Sequence, residues 1–383
     1  MTDRAVDAND GGERVGGSAE AATSVDTNGV KRVRALVAAA ARVADATSEL
    51  GRRARRLLVE STGLSAENVA WGLEEALEIA PSDDDIHALS SSVTAARAAH
   101  VILPANVFVA AHRAIALGLA ASARVFVRPS RREPVFARLL AEAAPGLFET
   151  VAALAPTPGD HVWAYGGDRS LDAVRAALPA GTVLHAQGPG YGLAVIHAGA
   201  VDDETAAALA RDVAAFDQRG CLSPRAAVVL GTSDDARHFA SLVADALAAR
   251  EREVPLGRLD ATELAEIRRF RDAAAYAGAF SSAGSGGVLV TDAVKLGAAP
   301  VGRFLTISAV TTLDGVLREV RRELVTAVGV AGTDDLGREV SMTFAEARVS
   351  RIGEMQRPRF DGAVDRRAAR GPTLSSLVGL DPR

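Results

Sequence analysis

The sequence predicts an α/β protein made of an open parallel sheet followed by a second α/β block. Three observations carry this. Between His100 and Gly199, short apolar runs alternate with helical segments, which argues for a sheet covered on both faces. The alternation resumes after Pro224. Between the two lies Ala215-Phe216-Asp217-Gln218-Arg219-Gly220-Cys221-Leu222-Ser223-Pro224, a polar turn that holds the only cysteine. A chain of 383 residues suits about two domains.

Taken in order, residues 1–29 are rich in Gly, Asp, Ala and Ser without apolar periodicity, and are expected to be a disordered tail. Val33, Leu36, Val37 and Ala40 form a helical stripe, and Leu50, Leu57 and Leu58 a second. Leu64-Ser65, with Glu67 and Asn68, reads as the start of a third helix through Leu77. Strands are expected at His100–Leu103, Arg124–Val127, Thr150–Leu154, His161–Tyr165, Val183–Ala186 and Leu193–His197. Helices are expected at Asn106–Ala121, Glu133–Ala144 and Ser170–Leu178. After the cysteine come a strand to Gly231 and helices over Asp234–Arg250 and Thr262–Tyr276. A Gly/Ser-rich loop at Gly278–Gly287, strands Val288–Thr291 and Phe304–Ala309, and a helix over Asp314–Val325 follow.

Composition narrows the function classes. Forty-three basic against 48 acidic residues give a net charge of −5, which advertises no nucleic-acid or membrane surface. One cysteine excludes internal disulfides and suits a reducing compartment. With no secretory leader and no long uncharged apolar run, the expectation is a cytoplasmic protein without a membrane span. No Cys/His spacing suggests a metal site.

The candidate residues each carry two readings. Cys221 is either an idle, buried small hydrophobe or a nucleophile on a loop between a helix and a strand. Its neighbours Asp217, Gln218 and Arg219 are polar for a core turn, and Arg219 or a cluster of N–H groups could lower the thiol pKa. Asn106 reads first as a helix N-cap. Arg128 and Ser130 end a strand, where ligands of open sheets bind, and the neighbouring Arg131 and Arg132 read as an exposed charged loop. Gly166 and Gly167 sit between a strand and a helix start, where a pyrophosphate could approach, and Asp168 is a cap or a ligand contact. His185 is an acid–base group or a structural strand residue, and His161 is taken as structural. The usual Gly-x-Gly-x-x-Gly fingerprint is absent, since Gly188-Pro189-Gly190-Tyr191-Gly192 fails its last position.

The cysteine segment resembles that of the LuxC-like acyl-CoA reductases, a branch of the aldehyde dehydrogenase superfamily. Leu103-Pro104-Ala105-Asn106, Val127-Arg128-Pro129-Ser130, Tyr165-Gly166-Gly167, His185-Ala186-Gln187-Gly188 and Arg348–Pro358 with Phe360-Asp361-Gly362 extend the resemblance from about Leu64 to about Gly362. It implies an aldehyde-dehydrogenase-like fold, with a modified Rossmann cofactor domain and an α/β catalytic domain. The corresponding ranges are 30–215 and 216–345, with 346–383 returning to the cofactor domain. It implies Cys221 as nucleophile, with the Asn106 amide and the Cys221 N–H holding the oxyanion. Arg128, Ser130, Gly166, Gly167, Asp168, His185 and Gly188 would then face a nicotinamide dinucleotide. Arg128 stands where the superfamily has lysine, and a guanidinium favours NADP(H) over NAD(H). No glutamate stands in His185-Ala186-Gln187-Gly188, where hydrolytic relatives carry their water-activating group. The implied reaction is reduction of an acyl-CoA or other acyl thioester to an aldehyde, by a homo-oligomer. Aldehyde oxidation by the same cysteine and a non-catalytic scaffold are the rival readings.

Overall fold

Serine side chains start three of the leading α-helices. The structure, a computed structural model, describes residues 27–277, 279–292 and 299–367. The expected tail falls outside the described residues as far as 26, and residues 27–29 open the first helix. α1 (Thr27–Ala44) buries Val33, Leu36 and Ala40 of the predicted stripe. α2 (Glu49–Thr62) begins where Ser48 Oγ accepts the Gly51 N–H, and stops at Gly63, whose φ of 71° is the left-handed cap glycine takes without strain. α3 (Ala66–Trp71) begins at the predicted serine, Ser65 Oγ accepting the Asn68 N–H at 3.2 Å. α4 (Asp83–Ser91) is capped by Ser82.

The first sheet follows. Its elements are β1 (Ala99–Ile102), α5 (Ala110–Ala121), β2 (Val125–Arg128), α6 (Val135–Ala143), β3 (Glu149–Thr150), β4 (His161–Tyr165), α7 (Asp168–Ala177) and β5 (Val183–Gln187). All its pairings are parallel, in the order β3-β2-β1-β4-β5. The strand expected at Thr150–Leu154 shrinks to a two-residue edge. One core joins this sheet to the leading helices, through Leu36, Leu58, Leu73, Val101, Ile115, Phe136 and Trp163.

The second sheet holds β6 (Tyr191–His197), then α8 (Asp203–Ala214), β7 (Pro224–Leu230), α9 (Ser233–Glu253) and α10 (Ala261–Ala277). β8 (Ala279–Ala283), β9 (Gly286–Val290), β10 (Phe304–Val310), α11 (Leu313–Glu319), β11 (Val325–Ala331), α12 (Asp334–Thr343) and β12 (Arg348–Arg351) complete it. The order is β12-β11-β6-β7-β10-β9-β8, parallel except for the β8–β9 hairpin. α8 and α9 cover one face through Leu209, Val213, Phe239 and Val243. α11 and α12 cover the other through Val316, Leu336 and Val340.

Three expectations are corrected. Leu193–His197 belongs to the second sheet, so the chain changes sheets across the three residues 188–190. The Gly/Ser-rich stretch before Val288 is strand β8, turned back by Gly284 at φ 58°. The helix expected over Asp314–Val325 ends at Glu319, where Val320 turns extended and the chain enters β11.

This crossover places the site. Gly188-Pro189-Gly190 leads directly from the carboxyl end of β5 to the amino end of β6. The carboxyl edge of the first sheet therefore adjoins the amino edge of the second.

Candidate active site

Cys221 stands at that junction, between the end of α8 and the first residue of β7. Pro224 opens the strand, where a missing N–H is tolerated. β6 comes close: the Gly192 N–H donates to Ser223 O at 3.0 Å. A Cβ on Gly192 would run into the backbone of Ser223 and Pro224, so only glycine fits beside the cysteine loop.

The loop itself is wound left-handed. Phe216, Asp217 and Gln218 have φ of 51°, 52° and 65°, costing roughly 1–2 kcal/mol each for residues with a Cβ. Buried polar bonds hold it there. Asn68 Oδ1 accepts the Phe216 N–H at 3.0 Å, and Asn68 Nδ2 donates to Ala214 O and Asp217 Oδ1. Arg303 Nη2 donates to Asp217 Oδ1 at 2.8 Å, and the Gly257 N–H to Asp217 Oδ2 at 3.0 Å. Gln218 Oε1 accepts the N–H groups of Arg303 and Phe304, and its Nε2 donates to the carbonyls of Pro224 and Phe304. Asp217 and Gln218 are fully buried. The polar pair that looked out of place in a core turn is the anchor of the loop.

The anchored loop leaves Cys221 exposed, which removes the reading of an idle buried thiol. The residue is open to solvent, yet protein atoms crowd around it. Burial there pushes the thiol up to about 11, with the Asp365 carboxylate adding to the rise. Arg367 and the residue's own N–H pull the other way. Arg219 does not contribute: its guanidinium is held by Glu263, at 3.0 and 3.2 Å, and by Arg258 O. The expectation that Arg219 activates the thiol is therefore corrected. In the free protein, iodoacetamide alkylation of Cys221 should climb about tenfold per pH unit from pH 7 to 10, following the thiolate fraction. A plateau near pH 8.5 in a stopped-time labelling series would contradict this.

Asn106 lies beyond the carboxyl end of β1 and is exposed. It caps no helix: α5 starts at Ala110 with Val109 at its cap and no side-chain bond. The segment is seated against the cysteine loop. Phe108 meets Phe216 edge-on at 5.8 Å. Val107 Cγ2 is 3.3 Å from where a Cβ of Gly220 would stand.

The remaining candidates follow the first sheet's carboxyl edge. Ile102 is in register with Arg128 and Ala164, and Tyr165 with Gln187. Arg128 ends β2, exposed. Ser130 Oγ accepts the Arg132 N–H, and Arg132 pairs with Asp260. Gly166 and Gly167 lie between β4 and α7, and nothing stands within 4 Å of a Cβ on Gly167. Gly167, not Asp168, is the helix cap; Asp168 is the first residue of α7. β1 and β4 leave the chain's order in opposite directions from the sheet's centre, the switch point where open sheets bind ligands. A buried, unpartnered Gln187 Oε1 also lies on this edge. Gly188 begins the crossover, while a Cβ on Gly190 would fall on Thr326 Oγ1, so Gly190 serves packing.

His185 is one residue pair inside the edge. Its ring stacks on Trp163 at 4.4 Å, and its Nε2 lies 3.2 Å from His161 Nδ1. Burial, with His161 adding, lowers it to about 4. It is neutral at pH 7 and does not titrate there.

The C-terminal segment lies against α5, α8 and the crossover. Arg113 of α5 donates to the carbonyls of Pro358, Arg359 and Gly362. Arg348 donates to Val364 O and Ala363 O and pairs with Asp361. Arg367 pairs with Asp365 and donates to Pro189 O and Glu323 O. Asp212 of α8 accepts the N–H groups of Gly353 at 2.5 Å and Met355 at 3.1 Å. Burial raises Asp212 to about 7, against those bonds and the charges of Arg211 and Arg357. A carboxyl raised in the fold stabilises it below pH 4, and the contribution is lost as pH rises through 7. The stability gap between Asp212→Asn and the wild type should therefore shift toward the variant by about 4 kcal/mol from pH 4 to pH 8. Urea unfolding across that range checks it, and a constant gap would contradict it.

A family model described as acyl-CoA reductase (LuxC) matches residues 31–364. No curated protein sequence matches the chain. Among solved structures, it is similar to a proline utilization A mutant from Bradyrhizobium japonicum, with TM-score 0.64 and 19% identity over 88% of this chain. The chain spans 40% of that protein's length. It is also similar to gamma-glutamyl-gamma-aminobutyraldehyde dehydrogenase from Burkholderia cenocepacia J2315, with TM-score 0.63 and 18% identity over 84% of this chain and 76% of that one. Lactaldehyde dehydrogenase from Escherichia coli gives TM-score 0.62 and 16% identity over 85% and 79%. The fold is that of the aldehyde dehydrogenases. Among the described residues, no helix is long and apolar enough to cross a membrane.

Proposed function

The chain belongs to the acyl-CoA reductase (LuxC) family, and from that premise we propose that it reduces an acyl-CoA to an aldehyde through an acyl-enzyme on Cys221. The observation that carries this reading is the exposed cysteine on the loop between α8 and β7, held from below by the buried Asp217 and Gln218.

The Cys221 sulfur attacks the thioester carbonyl, and the oxyanion is held by the Asn106 amide and the Cys221 N–H. The carbonyl reforms, the carbon–sulfur bond to CoA breaks, and the departing thiolate takes the proton that Cys221 gave up. Arg128, Ser130, Gly166, Gly167, Asp168, Gln187 and Gly188 would hold the dinucleotide, and Arg128 favours NADP(H) over NAD(H). The reduced nicotinamide, when bound, would supply a hydride to the acyl carbon; the carbon–sulfur bond to Cys221 then breaks, aldehyde leaves, and the Cys221 thiolate takes a proton from solvent. His185, neutral and tied to His161, supports this edge structurally. The lack of a glutamate in His185-Ala186-Gln187-Gly188 favours release as aldehyde over hydrolysis to acid.

Mixing the protein with octanoyl-CoA and NADPH should consume NADPH and release octanal and CoA, faster than with NADH. Cys221→Ala should stop it. Reduction of NADP⁺ by octanal without CoA would establish the oxidative reading instead.

A further inference from the structure

The loop that bears the nucleophile runs beside the turn that follows β12. Leu222 packs with Met355, Ala327 and Val364, so Cys221-Leu222 and Met355-Gln356 lie alongside each other. A second contact repeats this on the other side of the cysteine. From the position a Gly220 Cβ would take, Ser223 Oγ and Val107 Cγ2 are at 3.3 Å and Gln356 Oε1 at 3.6 Å. Gln356 therefore stands in the same cluster as the Asn106–Val107 segment. Its side chain is 6% exposed, and its Nε2 is buried without a hydrogen-bond partner. An orphaned donor costs roughly 1–3 kcal/mol. Gln356 is also deliberately held. Asp212 grips the N–H groups of Gly353 and Met355, fixing the backbone next to it.

We propose that Gln356 is a further catalytic residue, whose Nε2 donates to the acyl oxygen of the thioester on Cys221, beside the Asn106 amide. Asp212 is the positioning residue that holds it. The inference rests on the acyl-enzyme reading above. The acyl oxygen gains negative charge as the sulfur adds, so a fixed donor helps the transition state more than the ground state.

The test separates acyl transfer from thiol reactivity. Octanoyl-CoA acylation of Cys221 is followed by time-resolved mass spectrometry in wild type, Gln356→Leu and Gln356→Glu. Iodoacetamide alkylation, which forms no oxyanion, is measured in parallel. Acylation should fall about 10²-fold in both variants, with alkylation within twofold of wild type. Equal falls in both reactions, or no fall in acylation, would overturn the proposal and leave Gln356 a packing residue. The two variants differ in shape and charge, so either one that folds decides the outcome. A wild type that takes up no octanoyl group sinks the acyl-enzyme reading itself. A wild type acylated no faster than Gln356→Leu sinks only this inference.

Discussion

Asp217→Ala should destabilise the protein by about 3–5 kcal/mol, the largest loss expected from a single substitution in the cysteine loop. Asp217 is fully buried and its partner Arg303 is 1% exposed. Removing the carboxylate leaves the Arg303 guanidinium with carbonyl partners only, Val254 O and Pro255 O. It also strips acceptors from the Gly257 N–H and from Asn68 Nδ2. The left-handed turn over residues 216–218 loses its main support, and the cysteine loop can relax. Urea unfolding measures the loss. The double variant Asp217→Ala/Arg303→Ala should cost less than the sum of the singles, because the stranded charge is gone. A single-variant loss below about 1 kcal/mol would mean that the pair contributes little beyond surface ion pairs.

The second large effect is on rate. Asn106→Ala should lower acylation of Cys221 by about 10²–10³-fold, the effect of deleting one oxyanion donor. It should leave stability within about 0.5 kcal/mol, since Asn106 is exposed and caps no helix. Stopped-flow release of CoA reports the rate, and thermal unfolding reports the stability. An unchanged rate would assign the oxyanion to other donors.

Local patterns made much of this molecule legible. His161–Tyr165 is a short apolar run that ends at paired glycines, and the strand has those bounds. Ser65, just ahead of α3, announced the helix as its cap. Where the sequence misled, two signals overlapped. Leu317, Val320 and Leu324 fit a helical stripe, but Val320 already leaves the helix and the next residues lead into β11. Ser281 and Ser282 look like loop, yet a hairpin pairs them with Val288 and Gly287. The candidate site was legible where a motif is contiguous, as at Cys221 and at Gly166-Gly167. It was not legible where its parts meet only in space. Nothing near Asp217 in sequence names Asn68, Gly257 or Arg303 as its partners. Nothing near Cys221 indicates that Asp365 and Arg367, over a hundred residues on, set its charge environment. Arg219 looked like the activating cation only because it is adjacent in the chain.

The most direct test of the central claim is the intact mass of the chain after incubation with octanoyl-CoA and no nicotinamide cofactor. The account predicts one octanoyl group per chain, carried on the peptide containing Cys221, with an equal amount of CoA released and no adduct in Cys221→Ala. An unmodified wild type, or an adduct that survives in Cys221→Ala, would contradict it.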